Sequence, residues 1–219
     1  MPERFVPALR FHFLTRFYDP LLDRFFSDSA RKLRLIDLGP PGPGERVLDL
    51  GGGTATLARL LLRREPRCRI VVLDVDLAML VRARGKLASA ASSWHLVIAS
   101  ADALPFAATS FDRAFSSLVF HHLVPPVKRA ALAELHRVLR VRGSFFLLDF
   151  ARPADPLMWL VSSIAGLFDG WKNTVDNLLG RLPGMVKSAG FEEVRERHRE
   201  RTAFGVLGYL TATKGNQAP

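Results

Sequence analysis

Residues 46–62, RVLDLGGGTATLARLLL, hold the feature that most limits what this chain can become. Arg46-Val47-Leu48-Asp49-Leu50 is short and mostly apolar, as a strand buried on both faces must be. Gly51-Gly52-Gly53 follows, and without a Cβ the backbone can turn sharply and let a ligand come close. Leu57, Leu60 and Leu61 then recur at helical spacing. A strand that feeds a helix through glycines places backbone N–H groups of the helix start beside a ligand. It also commits the chain to layered α/β architecture.

The glycines alone do not choose the ligand. A dinucleotide loop wants G-x-G-x-x-G, and here Gly51 and Gly53 fit while the last position is Thr56. Asp49, two residues before Gly51, is the sharper signal. A carboxylate there repels a pyrophosphate and suits an ammonium group in a partly desolvated cleft. S-adenosylmethionine (SAM) carries such a group. A second apolar strand, residues 69–74 (RIVVLD), also ends in an acid. Asp74 lies one helix beyond the glycines, where a carboxylate can accept from both ribose hydroxyls. That spacing serves NAD as well as SAM, so a nicotinamide oxidoreductase remains a rival, opposed by Asp49 and the missing last glycine.

The alternation continues. Residues 77–90 read as a helix, 94–99 as a strand, 110–120 as a strand, 127–141 as an amphipathic helix and 144–150 as a fifth strand. Five strand–helix alternations argue a parallel, doubly wound sheet.

Taken together, VLDLGGGTATLARLL, VVLDVDLAML, ASADALPF and SFDRAFSSLVFHHL resemble the class I SAM-dependent methyltransferases, most closely the ubiquinone/menaquinone-biosynthesis (type 11) group. With the later strands the resemblance spans roughly three-quarters of the chain. It implies a Rossmann-like, doubly wound, seven-stranded and mostly parallel sheet. Residues 194–201 and 206–213 would form its antiparallel C-terminal hairpin, and helices would cap it. It implies SAM as cofactor, with Asp49, Gly51, Gly53 and Thr54 in the glycine loop, Asp74 on the ribose, Asp102 and the Ala103 amide on the adenine, and Ser117 as a further contact. Tyr18, from a Tyr-Asp segment, is the candidate aromatic beside the cofactor and acceptor. One departure is Ala55, where the family often has a third glycine; a small residue there predicts a slightly altered loop with binding kept.

His121 and His122 follow the fourth strand. A histidine there could accept a proton from a phenol or amine near neutral pH, and His122 is the weakly favoured candidate for a catalytic or substrate-facing role. A packed histidine is an equal alternative. Neighbours in an extended segment point to opposite sides, so the pair should not chelate one metal. Cys68 is the single cysteine, which excludes an intramolecular disulfide and a cysteine cluster for zinc. No metal is expected. Cys68 reads as a core or helix–strand junction residue, and the lack of disulfides fits a reducing cytoplasm.

The 219 residues suit one domain: a helical lid over residues 1–40, the core over 41–150, an apolar cap over 151–185, and the hairpin and tail over 186–219. The lid rests on Phe11, Leu14, Phe17, Tyr18, Leu21, Leu22, Phe25 and Phe26 at three- and four-residue steps. The cap rests on Met158, Trp159, Leu160, Ile164, Leu167, Phe168 and Trp171, expected as the inner wall of an acceptor pocket whose entrance residues 173–180 would line. Charges at Arg4, Arg10, Arg16 and Asp19 interrupt any signal-peptide core, and the apolar run 156–168 is too short to span a bilayer. Net charge is +10, but the arginines are scattered and not interleaved with aromatics, which argues against nucleic acid. The charge leaves peripheral contact with an anionic membrane open, and oligomeric state is not readable.

Methyl transfer from a sulfonium is a direct displacement that needs positioning and exclusion of water more than an enzyme nucleophile. The expected acceptor is small and apolar or aromatic, with oxygen, carbon, nitrogen and sulfur all open as the methylated atom. An RNA methyltransferase is one alternative, although Ser117-Leu118-Val119-Phe120 does not resemble the Asn/Asp-Pro-Pro-aromatic signature of amino-directed base methylation. A SAM-binding module without catalysis is another.

Overall fold

The computed structural model describes residues 28–90 and 93–216. Tyr18 and the aromatic repeat expected over residues 11–26 lie outside them. The chain runs α1 (Asp28–Asp37), β1 (Arg46–Leu50), α2 (Thr56–Arg64), β2 (Arg69–Asp74), α3 (Leu77–Leu87), β3 (Trp94–Ile98), β4 (Phe111–Ser117) and a 3-10 turn (Phe120–His122). It continues with α4 (Pro125–Val138), β5 (Leu139–Phe150), α5 (Pro156–Asp169), α6 (Trp171–Leu178), α7 (Leu182–Ser188), β6 (Phe191–Thr202) and β7 (Gly205–Lys214).

The seven strands form one sheet in the order β3-β2-β1-β4-β5-β7-β6. Strands β1 to β5 pair in parallel, while β7 runs antiparallel to both β5 and β6. The strand order reverses between β1 and β4, and the C-terminal strand ends there are where sheets of this kind bind ligands.

Each face of the sheet has its own core, as a doubly wound sheet requires. On one face Leu35 and Ile36 of α1, Leu57, Ala58 and Leu61 of α2, and Leu80, Ala83 and Leu87 of α3 pack on Val47, Ile70, Val72 and Phe115. On the other, Ala131, Leu132, Leu135 and Val138 of α4 and Leu182 and Val186 of α7 pack on Leu48, Leu50, Ala114 and Phe145. Each valine, leucine, isoleucine or phenylalanine among them, fully buried, contributes about 1.5–3 kcal/mol. Cys68 is buried at the entry to β2, the junction expected for it.

Four differences from the sequence reading stand out. Strand β4 ends at Ser117, and the chain turns through Phe120–His122 instead of staying extended. Leu118 at φ 60° turns the backbone out of the strand. Helix α4 stops at Val138, and β5 begins at Leu139, five residues before its expected start. Lys214, expected in a loose tail, closes β7, and its buried Nζ donates to Leu139 O at 2.9 Å. The fourth concerns the cap. Trp159, Leu160, Ile164 and Trp171 are exposed, while Asn173, Thr174, Asp176 and Asn177 are buried. Four of the side chains expected to wall a pocket point outward, Met158 points in, the side chains of Leu167 and Phe168 lie outside the described ones, and polar residues expected at the entrance are buried.

Candidate functional site

The glycine loop fixes its own shape. Gly51 N and Gly52 N both donate to Leu73 O, at 2.7 and 3.1 Å, and Ala55 N donates to Gly52 O at 2.8 Å. Gly53 N donates to Asp74 Oδ2 at 2.8 Å. These four amides are therefore consumed inside the protein, and none is aimed at a pyrophosphate. Gly51 takes φ 67°, and a Cβ there would lie 2.4 Å from a Val119 methyl carbon. Gly53 takes φ 55°, with open space where its Cβ would be. Ala55 takes φ 61° as the residue preceding α2. The loop thus adopts the same left-handed step that a third glycine would make easily, and bears the strain instead of changing shape.

Beneath the loop lies a buried acid with one oxygen unpaired. Asp49 is 1 % exposed, and its Oδ2 has no hydrogen-bond partner. Burial pushes its carboxyl from 3.8 up to about 7; Lys32 and the Ala58 amide oppose this, and Asp74 adds to it. Across the strand reversal, the buried Ser117 Oγ is also without a partner. Asp49 pairs in register with Phe115, two residues before Ser117, so alternation puts both side chains on one side of the sheet. Two buried oxygens that lack partners, on one side of the sheet at the strand reversal, call for a donor from outside the protein. A carboxylate in that pair selects a cation.

Asp74 closes the next strand. Its Oδ2 takes the Gly53 amide and its Oδ1 the Asp76 amide at 2.9 Å, which leaves further lone pairs on both oxygens for ribose hydroxyls. Burial raises its pKa against the pull of those amides. Ile98, paired in register with Asp74, and Val75, the residue after it, are both exposed at the strand ends. They offer apolar surface for a flat base. Asp102 is half-buried and accepts from Ser100 Oγ. The Ala103 amide is turned to Ser100 O at 3.2 Å, so a ring nitrogen would have to draw it away. Thr54 is buried, and Lys86 Nζ donates to its Oγ1 and to Thr56 Oγ1 at 2.8 Å each, which turns the Thr54 hydroxyl towards α3.

The histidines follow β4 at the C-terminal end of the sheet, and His121 is held by Asp149, which alternation puts on the face opposite Asp49 and Ser117. His121 Nδ1 lies 2.9 Å from Asp149 Oδ1, near the end of β5. Asp149 also accepts from the amides of Val119, Phe120 and Phe150 at 3.1, 2.8 and 2.8 Å, and from Asn177 Nδ2 at 3.0 Å. Burial pushes this carboxyl up, but the His121 ring, its hydrogen bond, the Phe150 amide and Lys128 more than offset it, and Asp149 stays below its ordinary range. An ionised carboxylate only accepts, so His121 Nδ1 carries the proton that points at Asp149, and Nε2 is the ring nitrogen that Asp149 does not hold. The His122 ring lies against His121 with centroids 3.9 Å apart and planes tilted by 45°, a contact the 3-10 turn creates and an extended segment would not. Burial, and then the His121 ring, hold His122 down to about 3. It stays neutral at ordinary pH and accepts protons poorly.

Two features here were missed in the sequence. Glu134 and Arg137 of α4 clamp the loop after β3: Glu134 accepts the Leu104 amide at 2.8 Å, and Arg137 donates to Leu104 O and Phe106 O at 3.0 and 2.7 Å. Their three-residue helical spacing was the available signal. The other is Asp149 with Lys128 and Asn177. Like Asp49 and Asp74, Asp149 is an acid near the end of an apolar strand (LLDF), and that repeated pattern could have found it. Among the described residues no cluster of three or more ligands could hold a metal.

The chain is similar to known proteins in both sequence and structure. Residues 47–143 match the methyltransferase domain family. A ubiquinone/menaquinone biosynthesis C-methyltransferase UbiE from Paracoccus denitrificans is 37% identical over 190 residues, covering 76% of this chain and 74% of that protein. One from a Ruegeria species is 32% identical over 184 residues, covering 75% and 73%. Among solved structures, YcgJ from Bacillus superposes with a TM-score of 0.71 at 17% identity over 86% of this chain and 100% of that one. A Haemonchus contortus N-methyltransferase solved with phosphomonomethylethanolamine and S-adenosylhomocysteine gives 0.71 at 15% identity over 85% and 53%. Those two likenesses are of fold.

Proposed function

Because the chain belongs to the class I SAM-dependent methyltransferases, in the group of the ubiquinone/menaquinone C-methyltransferases, we propose that it methylates a ring carbon of a small aromatic acceptor of the quinol type. The choice of carbon and quinol follows the names of those relatives. Support from the site itself rests on one observation: the buried Asp49 carboxylate has an oxygen without a partner, below a loop whose glycine amides are already spent. That arrangement fits an amino-acid ammonium and opposes a pyrophosphate.

In this reading Asp49 and Ser117 hold the amino-acid end of the cofactor, Asp74 takes the ribose hydroxyls, and Asp102 with the apolar Ile98 and Val75 takes the base. Bound there, SAM would supply a methyl group already activated by a sulfonium. The chain's own task is then to place the acceptor, keep water out and manage one proton. His121 suits that last task better than His122. Asp149 fixes its Nδ1–H, so Nε2 can take the proton of a phenolic hydroxyl and leave the ring electron-rich at carbon. The 3-10 turn brings both histidines to the same end of the sheet as Asp49 and Ser117.

Calorimetric titration with SAM, S-adenosylhomocysteine and NADH tests the cofactor. Binding of the first two, lost in Asp49→Ala and Asp74→Ala, is expected; binding of NADH instead would overturn the reading. Incubation with reduced quinones and mass analysis of the product then tests the acceptor. His121→Asn should lose turnover with a C-methylated product while keeping SAM affinity, and His122→Asn should keep turnover.

A further inference from the structure

Helix α5 is mounted inside out. Its inward side carries Met158, Ser162 and Gly166, all buried, with Ser162 against Gly205 of β7 and Gly166 against Thr174 of α6. Its outward side carries Leu157, Trp159, Leu160 and Ile164, which are 61, 41, 59 and 49 % exposed. Trp171, at the start of α6, is 40 % exposed beyond it. Soluble helices do the reverse, and a contiguous apolar face of this kind marks an interaction surface.

The rim of the face points to its partner. No charged residue interrupts residues 156–168. Basic side chains flank them, with an acid at each end of the run: Arg152 lines the same open groove as Trp159 and Leu160, Lys172 follows Trp171, Arg201, with 64% of its side chain exposed, pairs with Asp155 before α5, and Asp169 follows Phe168. The whole chain carries net charge +10. Aliphatic and tryptophan side chains flanked by arginine and lysine match the boundary between lipid headgroups and acyl chains, where tryptophan rings settle and basic groups meet anionic phosphates. No described helix is long and apolar enough to cross a membrane, so the contact lies in the plane of one leaflet.

We propose that the outer face of α5 and the start of α6 dock on an anionic bilayer surface. This goes beyond the methyl-transfer reading and does not depend on it. The face lies on the chain segment directly after β5, whose Asp149 holds His121, so docking would set that end of the sheet near the leaflet where apolar acceptors partition.

The test uses the full chain with vesicles of phosphatidylcholine, alone or with phosphatidylglycerol, and with brominated phosphatidylcholine as a depth-sensitive quencher of tryptophan. Co-sedimentation with the anionic vesicles is expected, weakened by salt, with quenching of Trp159 and Trp171. The third tryptophan, Trp94, is on β3 at the opposite edge of the sheet. The double substitution Leu160→Ser with Ile164→Ser should lower vesicle affinity about tenfold or more and abolish quenching, with an unchanged thermal melt. No sedimentation, as when a second copy or another part of the chain covers the face, would overturn the proposal. So would sedimentation without quenching, which reports charge attraction alone, or binding that survives the double substitution.

Discussion

His121 Nδ1 and Asp149 Oδ1 lie 2.9 Å apart, joining the turn after β4 to the end of β5 across 28 residues of chain. The same carboxylate holds the amides of Val119, Phe120 and Phe150 and the side chain of Asn177. Val119 in turn fills the space over Gly51. One buried acid therefore sets the histidine, the wall of the glycine loop and the cap helix α6 at once.

Asp149→Asn keeps the size and removes the charge. An amide nitrogen cannot accept from two of these donors, so buried N–H groups lose their partner. We expect a loss of about 3–5 kcal/mol, read from the urea midpoint. An unchanged midpoint would show that the donors re-pair and that Asp149 is no hub.

Asp49→Asn should act in the opposite sense on stability. The folded carboxyl titrates near 7 and the unfolded one near 3.8. Between those values the folded state holds a proton that the unfolded chain releases, so this group's contribution to stability declines as pH rises from about 4 to about 7 and is constant above. The asparagine variant should melt higher than the parent at pH 8 and lose that slope. Affinity for SAM should move the other way. Binding a cation favours the ionised form, so parent affinity should improve from pH 5.5 towards 7.5, while the variant binds about tenfold or more weakly with a flat profile. Equal affinities across that range would remove Asp49 from the site.

Ala55→Gly addresses the left-handed step before α2. Alanine at φ 61° bears a steric cost that glycine does not, and the side chain is fully buried with no polar role. Relief of about 1 kcal/mol is expected in chemical denaturation, with SAM affinity unchanged because the loop keeps its shape. Ala55→Val should destabilise, since it meets both the backbone strain and a packed core.

Much of the architecture was legible because it follows from periodicity and strand-end chemistry. RVLDL and RIVVLD announce buried strands that end in acids, and the glycines between strand and helix admit few other folds. The outward turn of α5 was not legible, because an apolar stripe has the same spacing whichever way it faces. Nor was the pairing of His121 with Asp149. It depends on the backbone leaving β4 at Leu118 into a 3-10 turn, and a bulky residue at positive φ has no signature in composition. The spent amides of the glycine loop were equally hidden, since a Gly-rich sequence is the same whether its N–H groups face a ligand or Leu73 O.

Lys128 supplies the last prediction. It is fully buried on α4, and its Nζ donates to Asn173 O at 2.5 Å and to Asn177 Oδ1 at 2.7 Å. Burial lowers its pKa from 10.5, against the pull of Asp149 and Asp176. In the window between that lowered value and 10.5 the unfolded chain binds a proton that the folded chain does not. Stability from this group therefore rises with pH through the window. Lys128→Met removes both the burden of the buried charge and the two hydrogen bonds. At low pH those effects oppose each other, and the parent should lead by little. At high pH the amine is neutral and still bonded, and the lead should grow towards about 1–3 kcal/mol as Asn173 O and Asn177 Oδ1 go unmet in the variant. Comparing the two proteins pH by pH isolates this group from the general loss of positive charge, which both share. A difference that shrinks as pH rises would mean that Lys128 acts in the fold as a cation, through Asp149 and Asp176, and not as the hydrogen-bond donor that pins α6.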